Sequence, residues 1–206
     1  MKLHCRLRSR LLDHIQLFSN PDLFTNEVAM HSTLEFKLIV SEDGEKIYSR
    51  ALSFDEVSSL VSSARDSKEN EPLFAVAARH PASAVREYVA SKDNLPEDAL
   101  KLLMYDKAIN VLRNLTRSDK FRQFATTEDL QRLSSIDTEL AQNIACNVES
   151  FAEADTMKLA EFYAAHSDPG VVSYLASNYA TPKRVLRGLL KHSDPHVAYE
   201  AKERLG

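Results

Sequence analysis

The residues His-Ser-Asp-Pro occur twice, from His166 and again from His192, 26 positions apart. Their contexts are alike: DPGVVSYLA follows the first and DPHVAYEA the second. A phrase repeated with its surroundings at this distance marks a chain built from one recurring supersecondary unit. Such a unit cannot bury its apolar face alone and is stabilised by stacking on its neighbours. Two earlier aspartates extend the series, so that Asp106, Asp137, Asp168 and Asp194 are spaced by 31, 31 and 26 residues. Three positions after each stands an aliphatic residue: Ile109, Leu140, Val171 and Val197. Apolar residues then recur every three or four positions, as on one face of a helix.

The aspartates have a physical role in this scheme. The first N–H groups of a helix lack partners, and an Asp side chain at the N-cap accepts from them. Proline at the next position loses nothing, because its missing N–H would have been unpaired anyway. Asp168-Pro169 and Asp194-Pro195 are therefore expected to start helices. His166 and His192 are expected in the last turn of the preceding helix, facing its negative end. The competing reading is a metal site built from His166, His192 and His196. The spacing supplies no dependable further ligand, and HExxH is absent. The expectation is that no metal is bound.

Each repeat has room for a second helix. The segments are LPEDALKLLMYD (Leu95 to Asp106), TEDLQRLSSID (Thr127 to Asp137), ADTMKLAEFYAAHSD (Ala154 to Asp168) and TPKRVLRGLLKHSD (Thr181 to Asp194). Pro96 follows Val85 by 11 residues, and Pro182 follows Val171 by 11. Leu100 and Leu103 then correspond to Leu186 and Leu189.

The stretch VREYVASKDNLPEDALKLLMYD, from Val85 to Asp106, resembles a unit of the leucine-rich repeat variant family, a relative of HEAT-like repeats. Val85, Val89-Ala90, Asn94, Leu95-Pro96, Leu100, Leu103 and Asp106 carry the likeness. VVSYLASNYATPKRVLRGLLKHSD is similar, with Thr181 in place of the leucine before proline. The resemblance covers residues 71–206 and implies a right-handed stack of short helices. The family's first described member holds an iron–sulfur cluster on a cysteine-rich N-terminal segment. The cysteines here are Cys5 and Cys146 alone, so no cofactor is carried over. The family implies a scaffold and not a reaction.

Residues 1–70 do not follow the repeat. Leu12, Ile15, Leu17 and Phe18 suggest an opening helix, broken at Asn20 to Asp22. Leu34, Phe36, Leu38 and Val40 show the near-alternation of a strand. Asp43-Gly44 is a typical hairpin pair, and Lys46 to Leu52 is the expected returning strand. Ser53-Phe54-Asp55-Glu56 reads as a capping box, opening a helix that ends before the polar joint SKENE, Ser67 to Glu71. The hairpin is expected to cap the stack, or to offer an edge to a partner or a second copy.

The resulting fold class is mainly α: an α-solenoid of HEAT-like or leucine-rich-repeat-variant helical pairs (71–206), preceded by a helix, a β-hairpin and a capping helix (1–70). The 206 residues, 44% of them hydrophobic, can form a real core, and only four are glycine. Two distant cysteines suggest reduced thiols and a cytoplasmic setting. The N-terminal MKLHCRLRSRLLDHIQLF has scattered charge rather than the apolar core of a signal peptide, and no stretch has a membrane span's length.

No Gly-rich phosphate loop, GxSxG or paired Cys and His is present, so no catalytic residue is assigned. Glu149, Glu153 and Asp155 read as surface and cap. Phe162, Tyr163, Tyr174 and Tyr179 read as core filler. Charge is more uneven. Between Glu128 and Asp155 seven acidic residues face one arginine, Arg132. Lys183, Arg184, Arg187 and Lys191 share one side of a helix, and Arg113, Arg117, Lys120 and Arg122 form a second basic group. These two groups are the candidate partner-binding residues. The expected function is a non-enzymatic binding module for a protein partner. The alternative is nucleic-acid binding through the same basic faces, related to DNA repair. HEAT-like DNA glycosylases for alkylated purines are similar in architecture, but their chemistry leans on aromatic side chains, tryptophan included, and a placed aspartate, and this chain has no Trp.

Overall fold

The computed structural model describes residues 34–206, which are mainly helical with one small two-stranded sheet. The expected opening helix and the Asn20 to Asp22 break lie outside the described residues. The described chain divides into two compact units, residues 34–89 with 94–102, and residues 90–93 with 103–206.

The first unit opens with β1 (Lys37–Glu42) and β2 (Glu45–Ala51), paired antiparallel. Asp43 and Gly44 both have positive φ, 51° and 85°. Two left-handed residues in a two-residue loop match the right-handed twist of the flanking strands, and glycine adopts this conformation without a Cβ clash. The register slips between Val40 and Ser41. Most of β2 is exposed, including Ile47 and Tyr48. The hairpin is tied down at its base, where the Leu52 N–H bonds the Phe36 carbonyl at 2.8 Å. The Phe36 ring is buried, 5.9 Å from the His80 imidazole.

Helix α1 (Phe54–Ser63) starts at the capping box read from the sequence: Ser53 Oγ accepts from the Glu56 N–H, and the Glu56 carboxylate accepts from the Ser53 N–H. It buries Val57 and Val61 and packs on α2 (Glu71–Ala77). The polar joint is a 3₁₀ turn, Lys68–Asn70, that runs into α2. Then come α3 (Ser83–Ala90) and α4 (Glu97–Met104). Asp66 Oδ1 accepts from the Asn94 N–H and from its Nδ2, both at 2.9 Å.

The second unit holds α5 (Ile109–Leu115), α6 (Asp119–Phe124), α7 (Thr127–Ser134), α8 (Thr138–Ala145), α9 (Thr156–Ala164), α10 (Pro169–Ser177), α11 (Lys183–Leu189) and α12 (Pro195–Leu205). Helices α5, α8, α10 and α12 pack in succession as one layer, and α7, α9 and α11 as a second. The pairs α7/α8, α9/α10 and α11/α12 join the layers. The core between them is apolar, with Leu130, Leu133, Leu140, Ile144, Leu159, Val171, Leu175 and Val197 fully buried.

Helix starts follow their capping residues. Asp137 accepts from the Leu140 N–H, Asp168 from Gly170 and Val171, and Asp194 from His196 and Val197. Asp106 departs from the expectation. The N-cap of α5 is Ala108, and Asp106 Oδ1 accepts from the Ala108 N–H at 2.8 Å, two residues on. The first buried residue of α5 is accordingly Val111 and not Ile109. Counted on the buried aliphatics Val85, Val111, Leu140, Val171 and Val197, the repeat spacings are 26, 29, 31 and 26.

Gly170 marks a close approach. A Cβ there would lie 2.9 Å from the capping Asp168 Oδ1 and 3.1 Å from Gln142 Nε2 on α8. Bare backbone at this point lets the start of α10 sit against α8.

Candidate functional site

Helix α11 is strongly two-faced. Val185, Leu186 and Leu189 are buried. At 100° per residue, Lys183, Arg184 and Arg187 fall opposite them; Lys191, expected on the same helix side, lies in the turn after the helix end at Leu189, and all four are exposed. Arg184 reaches across to α9 and pairs with Glu161. Lys183, Arg187 and Lys191 make no ion pair among the described residues.

The other basic group is differently placed. Arg113 Nη2 lies 3.0 Å from Asp137 Oδ2, and its Nη1 lies 2.9 Å from Glu139 Oε2. This hydrogen-bonded guanidinium holds the Asp137 carboxyl below the usual carboxylate range. Arg117 reaches Glu139 at 3.4 Å, and Arg122 reaches Asp119 at 3.5 Å. The Lys120 ammonium lies over the Phe124 ring, 4.6 Å from its centre. These cations are matched by carboxylates or an aromatic face. They also belong with α5 and α6, and α5 packs in the layer opposite α11. Arg113 therefore lies in the layer opposite Lys183, Arg184 and Arg187.

His166 and His192 are not in the last turn of a helix facing its negative end. They lie beyond α9 and α11, and each Nδ1 accepts a backbone N–H two residues on: Asp168 at 3.0 Å and Asp194 at 3.1 Å. His80 does the same for Ala82 at 3.1 Å. A ring nitrogen that accepts leaves Nε2 as the imidazole's donor. Each also sends its own N–H back three residues, to Ala77, Tyr163 and Leu189. Asp106 bonds to Leu103 in the same way, so it occupies the histidine's place in the repeat. His80 was not singled out from the sequence. Its signal was position: it stands five residues before Val85, as His166 stands before Val171 and His192 before Val197.

The aromatic cluster does not form as expected. Tyr163 is buried, with its hydroxyl 2.6 Å from Ser134 Oγ, and Phe162 packs edge-on against it at 5.2 Å. Tyr174 and Tyr179 are exposed, Tyr179 at 87%, with the Arg204 guanidinium stacked on its ring at 4.0 Å. Among the expected carboxylates, Asp155 caps α9 through the Lys158 N–H at 3.0 Å, and Glu149 accepts from Asn178 Nδ2 at 2.9 Å. Cys146 is half-buried, and burial pushes its thiol up. Among the described residues no three His, Cys, Asp or Glu come together as a metal site. No helix there is long and apolar enough to cross a membrane.

An open groove of about 580 Å³ runs between α9 and α11. Ala164, Ala165, Val185, Gly188 and Leu189 line it with apolar surface, and Arg184, Lys191, His192 and Glu161 carry its charge and hydrogen-bonding capacity. Comparison with protein-family models, curated proteins and solved structures finds no match.

Proposed function

We propose that this chain is a non-enzymatic binding module, an α-solenoid of the leucine-rich-repeat-variant or HEAT-like kind, which presents α11 to a protein partner. The single observation that carries the reading is the cationic row on α11 and the turn that follows it. Among the described residues Lys183, Arg187 and Lys191 stand exposed and make no ion pair, while Arg113, Arg117 and Arg122 each reach a carboxylate. Successive helical pairs, with Asp caps on α8, α9, α10 and α12, support a scaffold.

A protein fits this row better than a nucleic acid. One short helix offers few phosphate contacts, Glu161 sits among them, and the chain carries net charge −4. Nucleic-acid affinity rises with the number of phosphates neutralised, and so needs a wider basic surface. The test is affinity capture with and without nuclease, comparing the native chain with a Lys183→Glu, Arg187→Glu, Lys191→Glu variant. A partner that survives nuclease and binds the variant at least about tenfold more weakly supports the reading. Unchanged capture by the variant removes α11 from it. A partner lost only to nuclease transfers the row to nucleic acid.

A further inference from the structure

We infer that the groove between α9 and α11 takes an acidic peptide segment, whose carboxylates meet Arg184 and Lys191 while a small apolar side chain lies on the groove floor. The inference rests on the binding-module reading and assigns its partner's chemistry.

Three features point to that occupant. The first is that Arg184 already holds a carboxylate, that of Glu161 from the facing helix. Both side chains are substantially exposed, so water and salt weaken their pairing. An incoming carboxylate can replace Glu161 without leaving a buried charge behind.

The second is the hydrogen-bond state of His192. Its Nδ1 accepts the Asp194 N–H, which leaves the proton on Nε2. His192 lines the groove, so its Nε2 adds a donor beside two cations. Donors outnumber acceptors there, as an anionic ligand requires.

The third is Gly188, in the last turn of α11 on the groove wall. A Cβ built there meets nothing within 4 Å. Packing within the protein therefore does not demand glycine, although glycine weakens a helix. Its absent side chain leaves room for a ligand's backbone or small side chain. Ala164 and Ala165 keep the opposite wall low in the same way. A nucleic-acid backbone would use the cations but has no need of this apolar floor.

The experiment is fluorescence anisotropy on the full chain with a labelled twelve-residue peptide of Asp and Glu around one central Leu. The same peptide with Asn and Gln for Asp and Glu is one control, and a labelled single-stranded oligonucleotide of twelve nucleotides is the other. The expected result is saturable binding of the acidic peptide alone, weakening as salt is raised. Arg184→Gln or Lys191→Gln lowers affinity by about threefold to tenfold. Glu161→Gln raises it, because the internal competitor is gone. Gly188→Leu, which retains the far-ultraviolet spectrum of the native chain, abolishes it by filling the groove. Equal binding of the neutral peptide, tighter binding of the oligonucleotide, no binding of the acidic peptide, or indifference to Gly188→Leu and Glu161→Gln would each overturn the inference. The two readings can fail separately. Capture that depends on Lys183, Arg187 and Lys191, together with no peptide in the groove, would leave the binding module standing and remove its acidic-peptide site.

Discussion

Asp137 shows how one side chain serves two purposes. It caps α8 through the Leu140 N–H at 3.1 Å and holds Arg113. Asp194 only caps. Losing a cap costs about 1 kcal/mol, and losing a hydrogen bond to a charged group adds about as much. Asp137→Ala is therefore expected to lower stability by about 2 kcal/mol, and Asp194→Ala by about 1 kcal/mol, in urea denaturation. Equal losses would show that the Arg113 pair contributes nothing net. His80 gives a pH dependence. Burial lowers its pKa from the ordinary 6.5, and the Arg86 charge pushes the same way. Protonation would also place a hydrogen on the Nδ1 that accepts the Ala82 N–H. A histidine with a depressed folded-state pKa leaves stability intact above its unfolded value. That stability is lost as pH falls from 6.5 towards the folded value. Urea midpoints measured down this range should fall for the native chain and fall less for His80→Gln.

At the scale of elements, two helical glycines make opposite predictions. Gly170 is at the start of α10 with its capping aspartate and Gln142 against it. Gly188 is in the last turn of α11 with open space around it. Gly170→Ala should destabilise by about 1 kcal/mol, because the added methyl displaces the Asp168 cap. Gly188→Ala should stabilise by about 0.5–1 kcal/mol, because alanine is the better helix former and meets no obstruction. Denaturation midpoints moving in opposite directions would bear out both local environments. The hairpin differs from the helices in what supports it. Two strands alone are marginal in water, and β2 is exposed along most of its length. Its turn chemistry is local and strong, and Phe36 anchors its base.

At the scale of the whole molecule, burial is uneven. The two-layer unit has fully buried residues on almost every helix from α5 to α12, whereas the hairpin contributes Phe36. Amides in sparsely packed segments open with little free energy, and those in a packed core open only with the unit as a whole. Native-state hydrogen exchange should therefore be fast along Glu45–Ala51 and slowest in α8 and α10, the central helices of their layer. Protection of β2 equal to that of α10 would mean the hairpin is covered by something beyond the contacts described.

The sequence by itself determined whatever depends on neighbours within about four residues along the chain. Asp168-Pro169 and Asp194-Pro195 begin helices, Ser53 and Glu56 close a capping box, and Asp43-Gly44 makes the turn. Each is a bond between a side chain and its own local backbone, so composition and spacing suffice to read it. Tertiary structure decided the rest. Asp106 looked like a cap because an aliphatic residue follows it by three, but packing selects Val111 for the core and puts Asp106 in the histidine's place. Arg113 looked available, yet Asp137 lies 24 positions away in sequence and within hydrogen-bonding distance in space. Tyr174 and Tyr179 looked like core, yet the layers close over Tyr163 and leave them outside. The groove exists only because α9 and α11 pack side by side, bringing Glu161 to Arg184. Coulomb and packing terms act through distance, and no periodicity along the chain records which distant residue will arrive.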